Sequence, residues 1–257
     1  MQIVLIATVA AIASLLTFFS GFGLGTILTP VLLLFFPVEI AIALSGIVHL
    51  LNNLFKITLT GKNINWKTGM KFGLPAIAGA FAGAQVLLLI PETTILYSYS
   101  IGEKIIHILP LKLMIACLML FFALFEIIPA LKKVQFSENK LYLGGLLSGF
   151  FGGLSGNQGA LRSAFLLKTS LTKESFIATG ILIACLVDFT RLSVYFSRLT
   201  NINLKENGIM LLVTVLSAFG GAFLGSKVLK KVTFGFVQGA VTVLIFLLAV
   251  MLGLGFI

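Results

Sequence analysis

The chain has 257 residues, of which 59% are apolar and 10% charged, with a mean hydropathy of +1.14. A soluble domain carries about 25% charged residues, so an ordinary soluble globule is excluded, and the lack of residue-by-residue alternation excludes a lumen-polar β-barrel. The net charge of +10 sits in short loops between apolar segments, as positive-inside orientation requires, and no basic-aromatic stretch offers a nucleic-acid interface.

The first segment, Met1 to Phe19, is apolar but lacks a basic n-region, so it reads as mature chain rather than as a cleaved signal. Stretches able to cross a bilayer follow at 2–19, 40–59, 69–90, 108–131, 141–155, 174–196, 208–229 and 235–257, with shorter apolar pieces at 26–36 and 159–168. The polar connectors Gly61–Thr68, Pro91–His107, Lys132–Lys140 and Arg198–Asn207 are short enough to be simple membrane loops. Residues 1–257 therefore form a single all-α transmembrane domain, a polytopic helical bundle. Cys117 and Cys185 fall inside apolar segments and suggest no disulfide.

The chain repeats itself. Ser20-Gly21-Phe22-Gly23-Leu24-Gly25 leads through Pro37, Glu39 and Ser45-Gly46 to a polar cluster ending at Lys56, and about 134 positions later Ser155-Gly156-Asn157-Gln158-Gly159 leads through Arg162, Lys173 and Thr179-Gly180 to Arg191. The first repeat is taken as 1–134 and the second as 141–257. If every long stretch crosses once, loop cations divide almost evenly and orient nothing. If the glycine motifs are instead the tips of helical hairpins, so that 2–36 and 141–168 each return to the side they left, the second half is inverted. Then Lys62, Lys67, Lys71, Lys132, Lys133, Lys140, Lys168, Lys173, Lys227, Lys230 and Lys231 face one side, and only Lys104, Lys112, Arg198 and Lys205 the other. Positive-inside orientation favours this arrangement, with both termini outside. It predicts two inverted-topology repeats, about eight long segments plus two glycine-tipped hairpins, a layout shared by many secondary transporters.

Broken backbone inside an apolar stretch has polar groups that lipid cannot satisfy, so it belongs in protein or against a wet cavity. Gly23, Gly25 and Thr26 in the first tip, and Asn157 and Gln158 in the second, are candidate substrate ligands, because the short helix after each tip points its positive end at it. The competing structural reading is close helix packing on glycine. On the 40–59 segment, Ser45, His49, Asn52 or Asn53, and Lys56 share one helical face. His49 is a candidate proton-coupling group or a packed histidine, and Lys56, near the segment end, reads as snorkelling to the interface. The 174–196 segment carries Thr179, Cys185, Asp188 and Arg191. Asp188 and Arg191 at i, i+3 neutralise each other, or else Arg191 and Arg162 hold an anion while Asp188 takes a proton. Glu126 has relay and structural readings of equal weight. His49 and His107 lie in different segments, and there is no Cys-x-x-Cys, His-Glu-x-x-His or Walker motif, so no cofactor, metal site or enzyme activity is expected.

The Ser-Gly-Phe-Gly-x-Gly tip, the polar helix from Pro37 to Asn53, the Gly-Gly-Leu-Ser-Gly-x-x-Gly tip at Gly152–Gly159 and the duplicated layout resemble the TauE/SafE family of membrane transporters, the sulfite exporters. The resemblance covers essentially the whole chain. It implies a multi-pass protein of the bacterial cytoplasmic membrane that moves small sulfur-containing anions such as sulfite, thiosulfate or organosulfonates. Asn157-Gln158-Gly159 with Arg162 is a local variation that maps to no particular compound.

Both lines lead to a secondary transporter of a small anion by proton-coupled alternating access. The expected substrate contacts are Gly23, Gly25, Thr26, Asn52, Asn53, Asn157, Gln158, Arg162 and Arg191, with His49 and Asp188 coupling the proton. Its partners are the anion and the lipid bilayer, with a homo-oligomer compatible and no nucleic acid. The alternatives are transport of another solute such as a metal cation drawn to Asp188, or a non-transporting scaffold or intramembrane enzyme.

Overall fold

The computed structural model describes residues 2–20, 23–91, 94–128, 130, 135–199, 204–228 and 234–257, with side chains at all of these except 19–20, 126–127, 197–199, 204–207, 228, 234–241 and 244. Its first five helices are α1 (Gln2–Ser20), α2 (Gly25–Leu32), α3 (Val38–Thr60), α4 (Trp66–Leu89) and α5 (Pro110–Ile127). The next five are α6 (Leu141–Ser155), α7 (Gly159–Leu166), α8 (Lys173–Leu199), α9 (Leu204–Val228) and α10 (Phe234–Gly253). Among the described residues, the stretches Val38–Asn63, Trp66–Leu89, Lys173–Phe196 and Gly208–Lys227 are long and apolar enough to cross a membrane, and Gln2–Phe18 and Pro110–Phe125 are shorter apolar helices. Residues 141–155 do not reach across: 15 residues rise only about 22 Å, against about 30 Å of hydrocarbon. Large apolar side chains such as Leu89, Phe189, Phe196 and Leu212 point outward, as a lipid-facing surface allows.

Local sequence explains the helix ends. Pro37 precedes α3 with ψ of 154°, an extended geometry that fixes where the helix starts. Asn65 caps α4, its side chain accepting from the Thr68 amide at 2.9 Å. Pro110 opens α5 at the first helical position, where its missing N–H costs nothing. One connector differs from the expectation. Between Pro91 and His107 the chain is not a simple loop, since Tyr97–Ile101 (β1) pairs antiparallel with Lys104–Ile108 (β2). Gly102 supplies the positive φ of the turn, and the Tyr99 hydroxyl donates to the Leu254 carbonyl at 2.7 Å, fastening the hairpin to the end of α10. The alternation Tyr-Ser-Tyr-Ser-Ile is a strand signal of period two, masked by its position between apolar segments.

Small residues decide the helix packing. β-Carbons at Gly145, Gly149 and Gly153 of α6 would strike the carbonyls of Phe72, Ala76 and Ala80 of α4, and those at Gly79 and Gly83 of α4 would strike the carbonyls of Leu146 and Phe150. Residue numbers climb together on both sides, so α4 and α6 run parallel with backbones touching. Gly221 and Gly225 of α9 lie likewise against Ala11 and Leu15 of α1. In lipid, where apolar burial between helices gains little, such contact is what holds helices together. Helix α3 runs antiparallel to α8, with Gly46 against Arg191 and Leu192 and Leu50 and Ile57 against the Ile177–Ile181–Cys185 cluster. The packing partners exchange when the first five helices are swapped for the last five: α1 on α9 matches α6 on α4, α3 on α9 matches α8 on α4, and α3 meets α8. Helix α2 is buried along its whole length at the centre, and α7 is buried except at Ser163.

Candidate functional site

The two glycine breaks meet in the middle of the bundle. Helix α6 stops at Gly156, which takes φ of +81°, a left-handed conformation that costs a residue with a β-carbon about 1–2 kcal/mol. A β-carbon at Gly25 would lie 3.7 Å from the Gly156 carbonyl oxygen and 3.3 Å from Ser45 Oγ, and one at Gly23 would lie 2.9 Å from His49 Nε2. Absent side chains thus let α3 and the second tip close on the first. Thr29 donates to Ser45 at 2.8 Å, tying α2 to α3. Thr26 is buried, with its amide bonded to the Gly23 carbonyl at 3.1 Å. Gly21 and Phe22, and the side chain of Glu126, lie outside the described residues.

At the second tip, the Gln158 carbonyl accepts from Ser148 Oγ at 3.1 Å and from the Arg162 amide at 3.0 Å. The Gln158 side-chain amide and Asn157 Oδ1 are buried without a hydrogen-bond partner among the described residues, an arrangement that costs about 1–3 kcal/mol per group.

Beside the tips, α3 and α8 form a buried charged network. His49 Nδ1 lies 2.5 Å from Asp188 Oδ2. Arg191 Nε donates to Asp188 Oδ1 at 3.0 Å, and its Nη2 stands 2.9 Å from the same oxygen. That second approach is a charge contact outside hydrogen-bond geometry, so Nη1 and Nη2 both lack a hydrogen bond among the described residues. Nη1 faces the Gly156 turn, 2.8 Å from where a β-carbon there would sit, and the guanidinium covers Gly46. With Asp188 ionised, Nδ1 carries the imidazole proton and Nε2 is the acceptor turned toward Gly23. The Asn53 amide lies 3.3 Å from either ring nitrogen. His49, Asp188 and Arg191 are each 0–2% exposed, so removing Asp188 or Arg191 leaves the other as an uncompensated buried charge.

A cavity of about 30 Å³ adjoins this network, lined by Thr17, Phe18, His49, Asn53, Lys56, Arg162, Ser163 and the Phe176–Ala184 face of α8. It has room for one or two water molecules. Arg162 comes from the first turn of α7 and passes over Gly180; Gly46 and Gly180 each underlie a guanidinium.

The structure therefore gathers His49, Asn53, Arg162, Asp188, Arg191 and Gly23 into one region, with Gly25, Asn157 and Gln158 at the tips beside it. Asn52 is turned away: its Oδ1 accepts from Ser14 of α1 at 3.0 Å. Asn53, one residue on, shares the His49 face. The snorkelling expected of Lys56 is overturned, because Lys56 is only 3% exposed and its ammonium lies over the Phe18 ring, 5.4 Å from the centroid. Thr17, Ser163 and Tyr195 also escaped the sequence reading. Thr17 follows Ser14 by three residues, a polar pair on one face of an apolar helix that signals an inward side. Tyr195, one turn beyond Arg191, donates its hydroxyl to the Gly153 carbonyl in the last turn of α6.

No curated protein and no solved structure matches the chain. A family model described as Sulfite exporter TauE/SafE matches residues 6–252, a span that takes in both tips, the α3–α8 network and the cavity. The chain belongs to the sulfite exporter TauE/SafE family, and with it to the membrane transporters of sulfur-related anions.

Proposed function

We propose that the protein is a secondary transporter that carries a small sulfur oxyanion or organosulfonate across the bacterial cytoplasmic membrane by alternating access, coupled to protons. The observation that carries this reading is the meeting of the two tips beside a cavity lined by Arg162, Asn53 and His49. The amides that open α2 and α7, the side chains of Asn157 and Gln158, and Arg162 supply donors and positive charge where an anion would otherwise be costly. The cavity is smaller than an oxyanion, so binding requires the tips to separate from α3 or α8.

Coupling follows from the network. A proton taken up by the His49–Asp188 pair weakens the hold of Asp188 on Arg191. The Arg191 guanidinium, already facing the Gly156 turn, is then available to the anion at the second tip. Anion and proton thereby favour the same state, and that differential affinity is what coupling requires. Gly23, Gly25, Thr26 and Asn53 act in this scheme on the first-tip side, and Asn52 supports α1 rather than the anion.

The exchange symmetry of the helix contacts and the antiparallel run of α3 and α8 support two inverted repeats, 1–134 and 141–257, that rock against each other. Residues 33–38, Leu109, Leu111, Lys112, Leu252, Phe256 and Ile257 line one open groove, which supports a hairpin for α1–α2 and termini on the outer side. The cation alternative loses support because both oxygens of Asp188 are already held by His49 and Arg191. A scaffold would pair its core polar groups, and Gln158 does not.

The deciding experiment is uptake of labelled sulfite, thiosulfate and a small sulfonate into proteoliposomes, with and without an imposed proton gradient. Saturable, gradient-sensitive flux that falls at least about tenfold in Arg162→Ala, a loss of about 1.4 kcal/mol or more, is expected. Folded protein that moves no anion, or that moves a divalent cation instead, would overturn the reading.

A further inference from the structure

The cavity beside the tips holds more positive charge than the sequence assigned to it. Among the described residues its lining includes Lys56 and Arg162 and no carboxylate. Lys56 lies on the face of α3 that carries His49 and Asn53, seven and three residues back, so its side chain enters the cavity rather than following the helix to the interface. At 3% exposure it has given up water, and it forms no ion pair among the described residues. The Phe18 ring beneath it offers the attraction of an aromatic face, which is weaker than a counter-ion. Asp188, beside His49, is held by His49 and Arg191. The hydroxyl of Thr17, 5% exposed and lining the same cavity, lacks a hydrogen-bond partner among the described residues, and Ser163 Oγ is likewise unpartnered there. Two cations and two hydroxyls therefore converge on one space whose described lining carries no acid.

We propose that Lys56 and Arg162 act as a pair of cations across this cavity and match it to a doubly charged oxyanion over a singly charged one. The inference rests on the anion-transport reading above and narrows it to a charge class. A guanidinium fork takes two oxygens of a tetrahedral oxyanion at once, while an ammonium acts as a point charge on a third. Thr17 and Ser163 complete the shell with neutral donors. A monoanion held by Arg162 leaves the Lys56 ammonium without an anionic oxygen, which a dianion supplies, and selectivity arises from that difference as much as from the hydrogen bonds that the dianion forms.

The test uses the full chain in proteoliposomes and compares thiosulfate, a dianion, with methanesulfonate, a monoanion, in the native protein, Lys56→Met and Lys56→Arg. The native protein is expected to take thiosulfate with a KM at least about tenfold lower than methanesulfonate. Lys56→Met is expected to raise the thiosulfate KM about tenfold and to change the methanesulfonate KM by less than about twofold, while Lys56→Arg keeps the native preference. Equal shifts for both anions, or no shift for either, would overturn the pairing of Lys56 with Arg162 and leave anion transport standing. If Lys56→Met does not fold, the native KM ratio decides, and a ratio near one overturns the inference. Native protein that is folded and transports neither anion would instead overturn the transport reading itself.

Discussion

His49 of α3 and Asp188 of α8 stand 2.5 Å apart although 139 positions separate them in the chain. Two halves of the protein are thus joined at their centre by a titratable contact, which the Arg191 guanidinium shares. In the coupling proposed above, that contact is where a proton is read as a mechanical signal.

Replacing Asp188 by Asn keeps the shape of the side chain and removes its charge. Arg191 loses its counter-ion and His49 the charged acceptor of its Nδ1 proton, and breaking a buried pair from one side costs about 3–5 kcal/mol. Uptake driven by an imposed proton gradient is expected to vanish, while counterflow of anion without a gradient persists at a reduced rate. Gradient-driven uptake at the native rate in Asp188→Asn would remove this pair from the coupling scheme.

Gly23→Ala and Gly156→Ala probe the two tips by different routes. The added methyl at Gly23 meets the tip of the His49 ring, which can yield only by straining its contact with Asp188, so transport is expected to drop together with a moderate fall in thermal stability. At Gly156 the methyl meets Arg191 in a backbone with φ of +81°, so about 1–2 kcal/mol of strain adds to the displaced guanidinium. Thermal unfolding in detergent alongside uptake separates the cases, and an unchanged melting point for Gly156→Ala would contradict the tip geometry.

The seam between α4 and α6 is expected to tolerate nothing larger than glycine. A leucine at Gly149 would strike the Ala76 backbone, and the helices cannot part without losing the contact that holds them in lipid. Gly149→Leu is expected to yield no monodisperse protein by size-exclusion chromatography. The control is Gly220→Ala: that glycine is exposed with nothing near its missing β-carbon, so alanine should stabilise the helix by about 0.5–1 kcal/mol. Poor yield from both would show that the seam is not the cause.

Tyr195→Phe deletes one hydroxyl and leaves the ring packed. The Gly153 carbonyl then loses its side-chain donor at the helix end that carries the second tip, with a stability loss of about 1 kcal/mol. The thiosulfate KM should rise about threefold or more through a looser tip, a change of about 0.6 kcal/mol or more. An unaltered KM with the same loss of stability would confine Tyr195 to packing.

The amino-acid sequence alone determined the membrane class, the helix limits to within a few residues and the two glycine tips, because each rests on local physics. A bilayer demands long apolar stretches, and a glycine break announces irregular backbone wherever it falls. Periodicity also placed His49 and Lys56 on one face of α3, and Asp188 and Arg191 on one face of α8. It carried no information about which helix each face would meet, since a 3.6-residue repeat fixes a side chain's angle about its own axis and leaves the neighbours' positions open. Asn52 and Asn53 were therefore interchangeable in the sequence, and only packing turned one to Ser14 and the other to His49. Lys56 reads as interfacial by its distance from the segment end, yet Phe18 of α1 and the cavity shared with α7 and α8 enclose it. Whether a long polar side chain reaches water or a buried site is decided by the surfaces around it, which exist only once the helices have assembled.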